Sequence, residues 1–117
     1  MHRQFLLIII ALILLSPDTS LAADPARLEA IDASTDQMEQ WLEIHFRLDR
    51  ETNFSVFNLS APERLVVELS NTRNVIVNGS MPEHKNVILK ARIRQSRSES
   101  NPSTKIVFFL RVKVDYV

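Results

Sequence analysis

The fold is decided by residues 53–74, NFSVFNLSAPERLVVELSNTRN. Two apolar segments in this stretch flank a short connection that contains Pro62. The second segment begins at Arg64 and is largely apolar on both faces through residues 65–69, as expected of the central strand of a sheet. Proline is common in turns because its ring fixes the backbone angle φ. The stretch therefore predicts two β-strands joined by a short turn.

A strand with one solvated face is predicted before this stretch, over residues 41–49. Apolar residues alternate there with polar ones, which is the pattern of a half-buried strand. A helix would scatter the same apolar residues around its circumference. The apolar set is Leu42, Ile44, Phe46 and Leu48, and the polar set is Glu43, His45, Arg47 and Asp49.

Three more strands are predicted after the stretch, over residues 75–77, 87–95 and 105–114, and residues 71–74 are predicted to form a turn. The alternation in the last two strands assigns each residue to a face. One face of residues 87–95 should carry Val87, Leu89, Ala91 and Ile93, and the other Lys90, Arg92 and Arg94. One face of residues 105–114 should carry Ile106, Phe108, Leu110 and Val112, and the other Val107 and Phe109.

Short strands separated by turns, without a convincing long helix, predict an all-β fold. We expect a small β-sandwich of about six or seven short strands, with a small barrel as the alternative. Residues 44–48 and 106–110, IHFRL and IVFFL, resemble each other. Two related halves would give this similarity, and so would chance, because alternating strands look alike.

Residues 1–22 have the three-part layout of a secretory signal peptide. Arg3 precedes an unbroken apolar run over residues 5–15, and Pro17 ends that run. Small residues permit cleavage after Ala22 or Ala23. The run is shorter than the roughly 20 apolar residues that span a bilayer, so cleavage is favoured over an uncleaved membrane anchor. We therefore expect an exported, periplasmic protein that meets the membrane only through its signal peptide.

Residues 23–40 are predicted to be an acidic N-terminal segment that precedes the main β-domain at residues 41–117. A first strand over residues 27–32 is favoured within the segment. The alternative is a helix over residues 25–38, because an aspartate followed by Pro25 can begin a helix.

Acidic and basic residues are concentrated in different parts of the chain. Residues 24–51 contain eight acidic and three basic residues, whereas residues 85–113 contain eight basic residues and one acidic residue. These segments would either attract each other across a sheet or give the molecule one basic face.

The sequence offers no legible catalytic or metal site. It has no cysteine and a single glycine, so thiolate chemistry and phosphate-binding glycine loops are excluded. His45 and His84 are predicted to be solvated, and no serine lies in the context of an activated nucleophile. We therefore expect no enzymatic activity, no cofactor and no metal.

The strongest candidate for a binding site is the row of cations Lys90, Arg92 and Arg94. Alternate residues on one strand face stand about 6–7 Å apart, so these charges repel unless acids or a ligand neutralise them. Pairing with Glu43 or Asp49, or plain solvation, is the structural alternative. The functional hypothesis is a surface for an anionic polymer, but not for nucleic acid, because no aromatic residues are interleaved in this row.

Arg64 is the second candidate, since it follows the turn at Pro62 and begins a central strand. Its guanidinium could donate to backbone carbonyls and fix the turn, or it could contact a ligand.

With these residues placed, the chain resembles the AMIN domain family. The family's motif, an aromatic-rich strand followed by L–x–x–P–x–R–L–V–V–acid–L, corresponds to residues 54–69, FSVFNLSAPERLVVEL. Its V–R–x–x–Q resembles residues 91–95, and its T–R–V–V–x–x–L resembles residues 104–110. The resemblance covers residues 28–116, and the segment after the first motif is similar to that of type IV pilus secretins.

The resemblance implies a β-sandwich that binds peptidoglycan and localises its host protein, a cell-wall amidase or a secretin, in the envelope. The expected binding residues are Arg64, Lys90, Arg92, Arg94 and Gln95. One alternative is a structural protein that docks on a pilus secretin or another envelope protein by pairing an exposed strand edge. Another is the N-terminal part of a secretin or amidase, because Val117 lies near where the family would begin its last strands.

Overall fold

The computed structural model describes residues 7–14, 24–38, 41–77, 81–84, 86–98 and 100–117. Within those ranges all regular secondary structure is β-strand, which confirms the predicted all-β class. The described ranges contain no helix of the length and apolarity needed to cross a membrane. The strands are β1 (Leu7–Leu14), β2 (Ala26–Thr35), β3 (Trp41–Leu48), β4 (Phe54–Leu59), β5 (Arg64–Ser70), β6 (Thr72–Asn74), β7 (Ile88–Gln95), β8 (Ser103–Leu110) and β9 (Asp115–Tyr116).

The strands form two layers, as expected of a small β-sandwich. The first is a five-stranded sheet in the order β6-β2-β3-β1-β9, and the second is a four-stranded sheet in the order β4-β5-β8-β7. Strands β1 and β9 were not predicted from the sequence, because β1 lies in the predicted signal peptide and the two-residue β9 is too short to show an alternation.

The core lies between the layers and is built from the inward residues of the predicted alternating strands. The rings of Phe46 on β3 and Phe108 on β8 meet edge to face, with centroids 6.3 Å apart. Burying each such side chain contributes about 1.5–3 kcal/mol. The corresponding phenylalanines of IHFRL and IVFFL therefore face each other across the sandwich. Large, fully buried members of the core are Leu28, Leu42, Ile44, Phe46, Leu48, Leu65, Val67, Leu69, Ile88, Ile106 and Phe108.

The hairpin predicted from residues 53–74 is present. β4 pairs antiparallel with β5, from Phe54 opposite Leu69 to Leu59 opposite Arg64. β5 lies between β4 and β8, so its apolar residues on both faces are those of a central strand. Arg64 donates from Nε to the carbonyl of Pro62 (3.1 Å), and thereby holds the turn that precedes the strand.

The turn predicted over residues 71–74 and the strand predicted over residues 75–77 both differ from the structure. The turn is confined to Asn71, and Thr72–Asn74 form β6, which pairs parallel with the beginning of β2. Residues 75–77 continue without a strand, although the amide of Val75 still donates to Leu28 O (2.9 Å). Polar residues favour turns locally, but here long-range hydrogen bonds, including one from Gln95 Nε2 to Thr72 O (3.1 Å), override that preference.

Leu89 does not lie on the predicted apolar face of β7. A β-bulge between Ile88 and Lys90 inserts one residue into the pairing with β8, and Leu89 is left 49% exposed. Ile88 takes the inward position instead and is buried. The last predicted strand also ends early, because β8 stops at Leu110 and Val112 is exposed.

The acidic N-terminal segment is a strand, β2, rather than the alternative helix, because β2 pairs antiparallel with β3 from Leu28 to Thr35. Of the predicted signal peptide, residues 7–14 are described as β1, whose backbone pairs parallel with the whole of β3. The rest of the signal peptide and its cleavage site lie outside the described residues.

Candidate ligand-binding face

The outer face of the four-stranded sheet gathers most of the predicted binding residues. The register places Arg92 opposite Val107 and Arg94 opposite Lys105, while Arg64 lies across from Phe109 on the other side of β8. Opposed residues in an antiparallel pair have Cβ atoms about 4.5–5.5 Å apart, so these side chains form one continuous surface. We call it the basic–aromatic face, and it comprises Phe57, Leu59, Arg64, Val66, Lys90, Arg92, Arg94, Lys105, Val107 and Phe109.

The centre of the basic–aromatic face is an open cavity of about 270 Å³. Its floor is apolar, because Val66 and Val107 lie on the two central strands, and its rim carries the guanidinium groups. Arg64, Arg92 and Arg94 line it together, so the two candidates proposed from the sequence lie on one surface.

Phe109 is the aromatic residue that the sequence analysis missed. Lys90 Nζ lies 4.9 Å from the centre of its ring and Arg92 Cζ lies 5.7 Å from it. Each such contact contributes about 0.5–1 kcal/mol at an exposed site, which offsets part of the repulsion between the two cations. The statement that no aromatic residue lines the row of cations was therefore wrong, because the ring comes from the neighbouring strand.

The cations are not neutralised by the acids that the sequence suggested. Glu43 instead lies 2.8 Å from His45 Nε2, and Asp49 Oδ1 accepts from the amide of Arg27 (2.7 Å). Both acids belong to the five-stranded layer. Across the part of the chain that the structure describes, no carboxylate oxygen lies within 4.0 Å of Lys90, Arg92 or Arg94.

The acidic and basic segments occupy different layers of the sandwich. Strands β2 and β3 come from the acidic segment and lie in the five-stranded sheet, whereas β7 and β8 come from the basic segment and lie in the four-stranded sheet. An apolar core separates them. Of the two arrangements considered, attraction across a sheet or one basic face, this geometry is the second.

Arg64 has two roles in the geometry. Its guanidinium lines the cavity, and it also donates from Nη2 towards Ser60 O (3.5 Å) in addition to the bond with Pro62 O. The side chain therefore supports the turn and presents its remaining donors to the cavity.

Gln95 does not lie with the cations, because the alternation of β7 turns it to the opposite face. Its Oε1 accepts from the amide of Asn74 (2.8 Å), and its Nε2 donates to the carbonyls of Thr72 (3.1 Å) and Ser103 (2.9 Å). Thr104 Oγ1 lies 3.1 Å from the same Oε1. These bonds use both donor hydrogens and both acceptor positions of the side-chain amide. Gln95 therefore joins the two layers and has no hydrogen-bonding position left for a ligand.

Lys105, Phe57 and Leu59 are further members of the face that the sequence analysis did not single out. The alternation of the sequence could have identified them. Once the inward residues of β4 and β8 are known, the odd-numbered residues of both strands must lie on the outer side. Phe57 is 37% exposed and Leu59 38% exposed, so the face offers apolar surface beside its charges.

A second, more polar cavity of about 520 Å³ lies along β2, lined in part by Glu29, Asp32 and Arg47. None of the predicted binding residues contributes to it. Among the described residues, no cluster of three histidine or acidic side chains could hold a metal ion. Comparison of the chain with family models, with curated proteins and with solved structures found no match.

Proposed function

We propose that the protein is a non-catalytic module of the cell envelope that binds peptidoglycan through the basic–aromatic face. The observation that carries the proposal is the row Lys90, Arg92 and Arg94, which has no carboxylate partner among the described residues and lies along one side of an open apolar cavity. Like charges held side by side reduce stability, so their arrangement is best explained by an anionic ligand.

The geometry fits an extended polymer better than a small molecule. The cations stand about 6–7 Å apart along β7, and Arg64 continues the positive surface on β5. Lys105 on β8 lies directly opposite the acidic Glu68 of β5, so the positive surface is strongest along β7. The cavity is shallow and open, so a ligand would lie across it. The peptide stems of peptidoglycan carry repeated carboxylates, which guanidinium groups bind with paired hydrogen bonds.

Two features of the sequence support this class of polymer over others. The signal peptide predicted at residues 1–22 would deliver the chain to the periplasm, where the cell wall lies. Its cleavage would remove β1 from the five-stranded sheet, whereas the four-stranded sheet that carries the basic–aromatic face would keep all its strands. The resemblance of residues 54–69 to the AMIN motif points to the same ligand and to a periplasmic envelope protein. Nucleic acid, whose binding also uses cations and aromatic rings, would not meet an exported chain.

Binding to purified sacculi tests the proposal directly. The exported protein is incubated with sacculi at low salt and centrifuged, and we expect it in the pellet. Replacing Lys90, Arg92 and Arg94 together by glutamate should leave it in the supernatant. Raising the salt to about 0.5 M should release the wild type, because screening weakens exposed charge interactions.

The matched control reverses three exposed charges outside the face, Arg97, Arg111 and Lys113, and so changes the net charge equally. We expect this control to bind sacculi as the wild type does. Circular dichroism of both triple variants checks that the fold is intact. The proposal fails if the wild type remains in the supernatant at low salt, or if both variants lose binding equally.

A further inference from the structure

The backbone of β4 has one side free for strand pairing. The amide of Ser70 donates to Asn53 O (2.9 Å), which places residues 53, 55, 57 and 59 towards β5. Because backbone groups alternate in an antiparallel pair, Phe54, Val56 and Asn58 direct theirs away from the sheet. Across the described residues, β5 is the one strand paired with β4, so these outward groups form an edge.

This edge lacks the features that normally keep strand edges apart. β4 has no charged side chain, and Phe54, Phe57 and Leu59 are all at least a third exposed. The other edge of the same sheet, β7, carries the row of cations and the bulge at Leu89, both of which discourage pairing. The unprotected edge of the four-stranded sheet is therefore β4.

Tyr116 covers the middle of this edge. Its hydroxyl donates to the carbonyl of Val56 (3.0 Å), which is one of the outward groups. Tyr116 belongs to the two-residue strand β9 and is 37% exposed, so little packing holds its side chain in place. The outward groups of Phe54 and Asn58 make no hydrogen bond to any described residue.

We propose that two copies of this chain associate by antiparallel pairing of their β4 strands, and that Tyr116 moves away from Val56 when they do. A two-fold axis sets a strand against its own copy, so any charge near the axis would face a like charge. β7 would bring its arginines together in this way, whereas β4 brings only uncharged residues together. This difference in charge favours a second copy as the occupant of β4.

The register of the pair follows from the outward groups. An axis at Val56 pairs Val56 with its own copy and Phe54 with Asn58 of the second copy, so every outward group gains a partner. The two four-stranded sheets would then be continuous, with both basic–aromatic faces on the same side. The proposal does not depend on which ligand those faces bind.

Sedimentation velocity of the full chain over a range of concentrations tests the association. Asn58→Pro removes an outward amide and spares the β4–β5 ladder, so we expect dimerisation at least about tenfold weaker. Asn58→Ala keeps the amide and should dimerise as the wild type does. Tyr116→Ala should strengthen dimerisation about fivefold, because the carbonyl of Val56 would no longer have to lose its hydrogen bond with Tyr116 before it pairs with the second copy.

Crosslinking tests the register, since the natural chain has no cysteine. Val56→Cys would lie directly opposite its own copy with Cβ atoms about 5.5 Å apart, whereas Ser55→Cys would lie diagonally from its copy at about 7–8 Å. We expect a short thiol-specific crosslinker to link the Val56→Cys dimer faster, although Ser55 is the more exposed. The proposal is overturned if the wild type and Tyr116→Ala remain monomers at every concentration, as they would if an unlike protein occupied β4. Equal dimerisation of Asn58→Pro and Asn58→Ala, or faster crosslinking of Ser55→Cys, would also overturn it.

Discussion

At the scale of single residues, Arg64 and Arg94 line the same cavity but differ in their partners. Arg64 donates to two carbonyls of the turn before β5, whereas Arg94 is exposed and makes no ion pair with a described residue. We expect Arg64→Ala to lower the free energy of unfolding by about 1 kcal/mol, because those carbonyls lose their donor. Arg94→Ala should change it by less than about 0.5 kcal/mol and should weaken sacculus binding.

Urea denaturation of both variants, with sacculus pelleting beside it, separates the two roles. Equal stability of the two variants would show that Arg64 does not support the turn. The sequence indicated support of the turn as one of two alternative roles for Arg64, because an arginine directly after a proline-containing turn has carbonyls within reach. It did not indicate that Gln95 would be used up in hydrogen bonds, since its partners Asn74, Thr72 and Ser103 are brought together only by the folded chain.

At the scale of elements, the bulge in β7 decides which apolar residue enters the core. Ile88 is 1% exposed and Leu89 is 49% exposed, although plain alternation assigned the inward position to Leu89. We expect Ile88→Ala to cost about 3 kcal/mol of stability, because it leaves a cavity between the layers. Leu89→Ala should cost less than about 1 kcal/mol. Thermal unfolding of the pair measures the difference, and a larger loss for Leu89→Ala would contradict the bulge.

The elements that the sequence predicted well are β3 and β8, whose alternation matches their burial, and β5, whose apolar residues on both faces match its central position. Each of these is paired on both sides, so its pattern reflects a single, fixed environment. The prediction failed at residues 71–77 and at Leu89, where the backbone departs from regular pairing. A parallel three-residue pairing and a one-residue insertion leave no periodic trace, because period two needs several residues to be recognised.

At the scale of the whole molecule, the contact between Phe46 and Phe108 joins the two layers. We expect Phe46→Leu and Phe108→Leu each to cost about 1.5 kcal/mol, with the double variant costing about 1 kcal/mol less than their sum. Either substitution alone removes the contact between the two rings, so the second substitution has no such contact left to remove. A double-mutant cycle of unfolding free energies measures this coupling. If the two losses of unfolding free energy were strictly additive, the two rings would not interact.

The two-layer architecture was predictable, but the composition of the basic–aromatic face was only partly so. Alternation identified which residues of β7 point outward, and it could not say which residues of β8 would lie beside them. That depends on the strand order β5-β8-β7, which brings Phe109 and Lys105 between Arg64 and the row of cations. Strand order is set by contacts across the whole chain, and a single sequence does not display it.

The separation of acidic and basic strands into different layers has a consequence for the approach to a ligand. The chain has no formal net charge, so a distant anionic polymer exerts no overall pull on it. The opposed charges of the layers nevertheless form an electric dipole, which the field near such a polymer would rotate. The molecule would therefore turn its four-stranded sheet towards the polymer before touching it. Screening limits this rotation to the last 8 Å or so at physiological ionic strength.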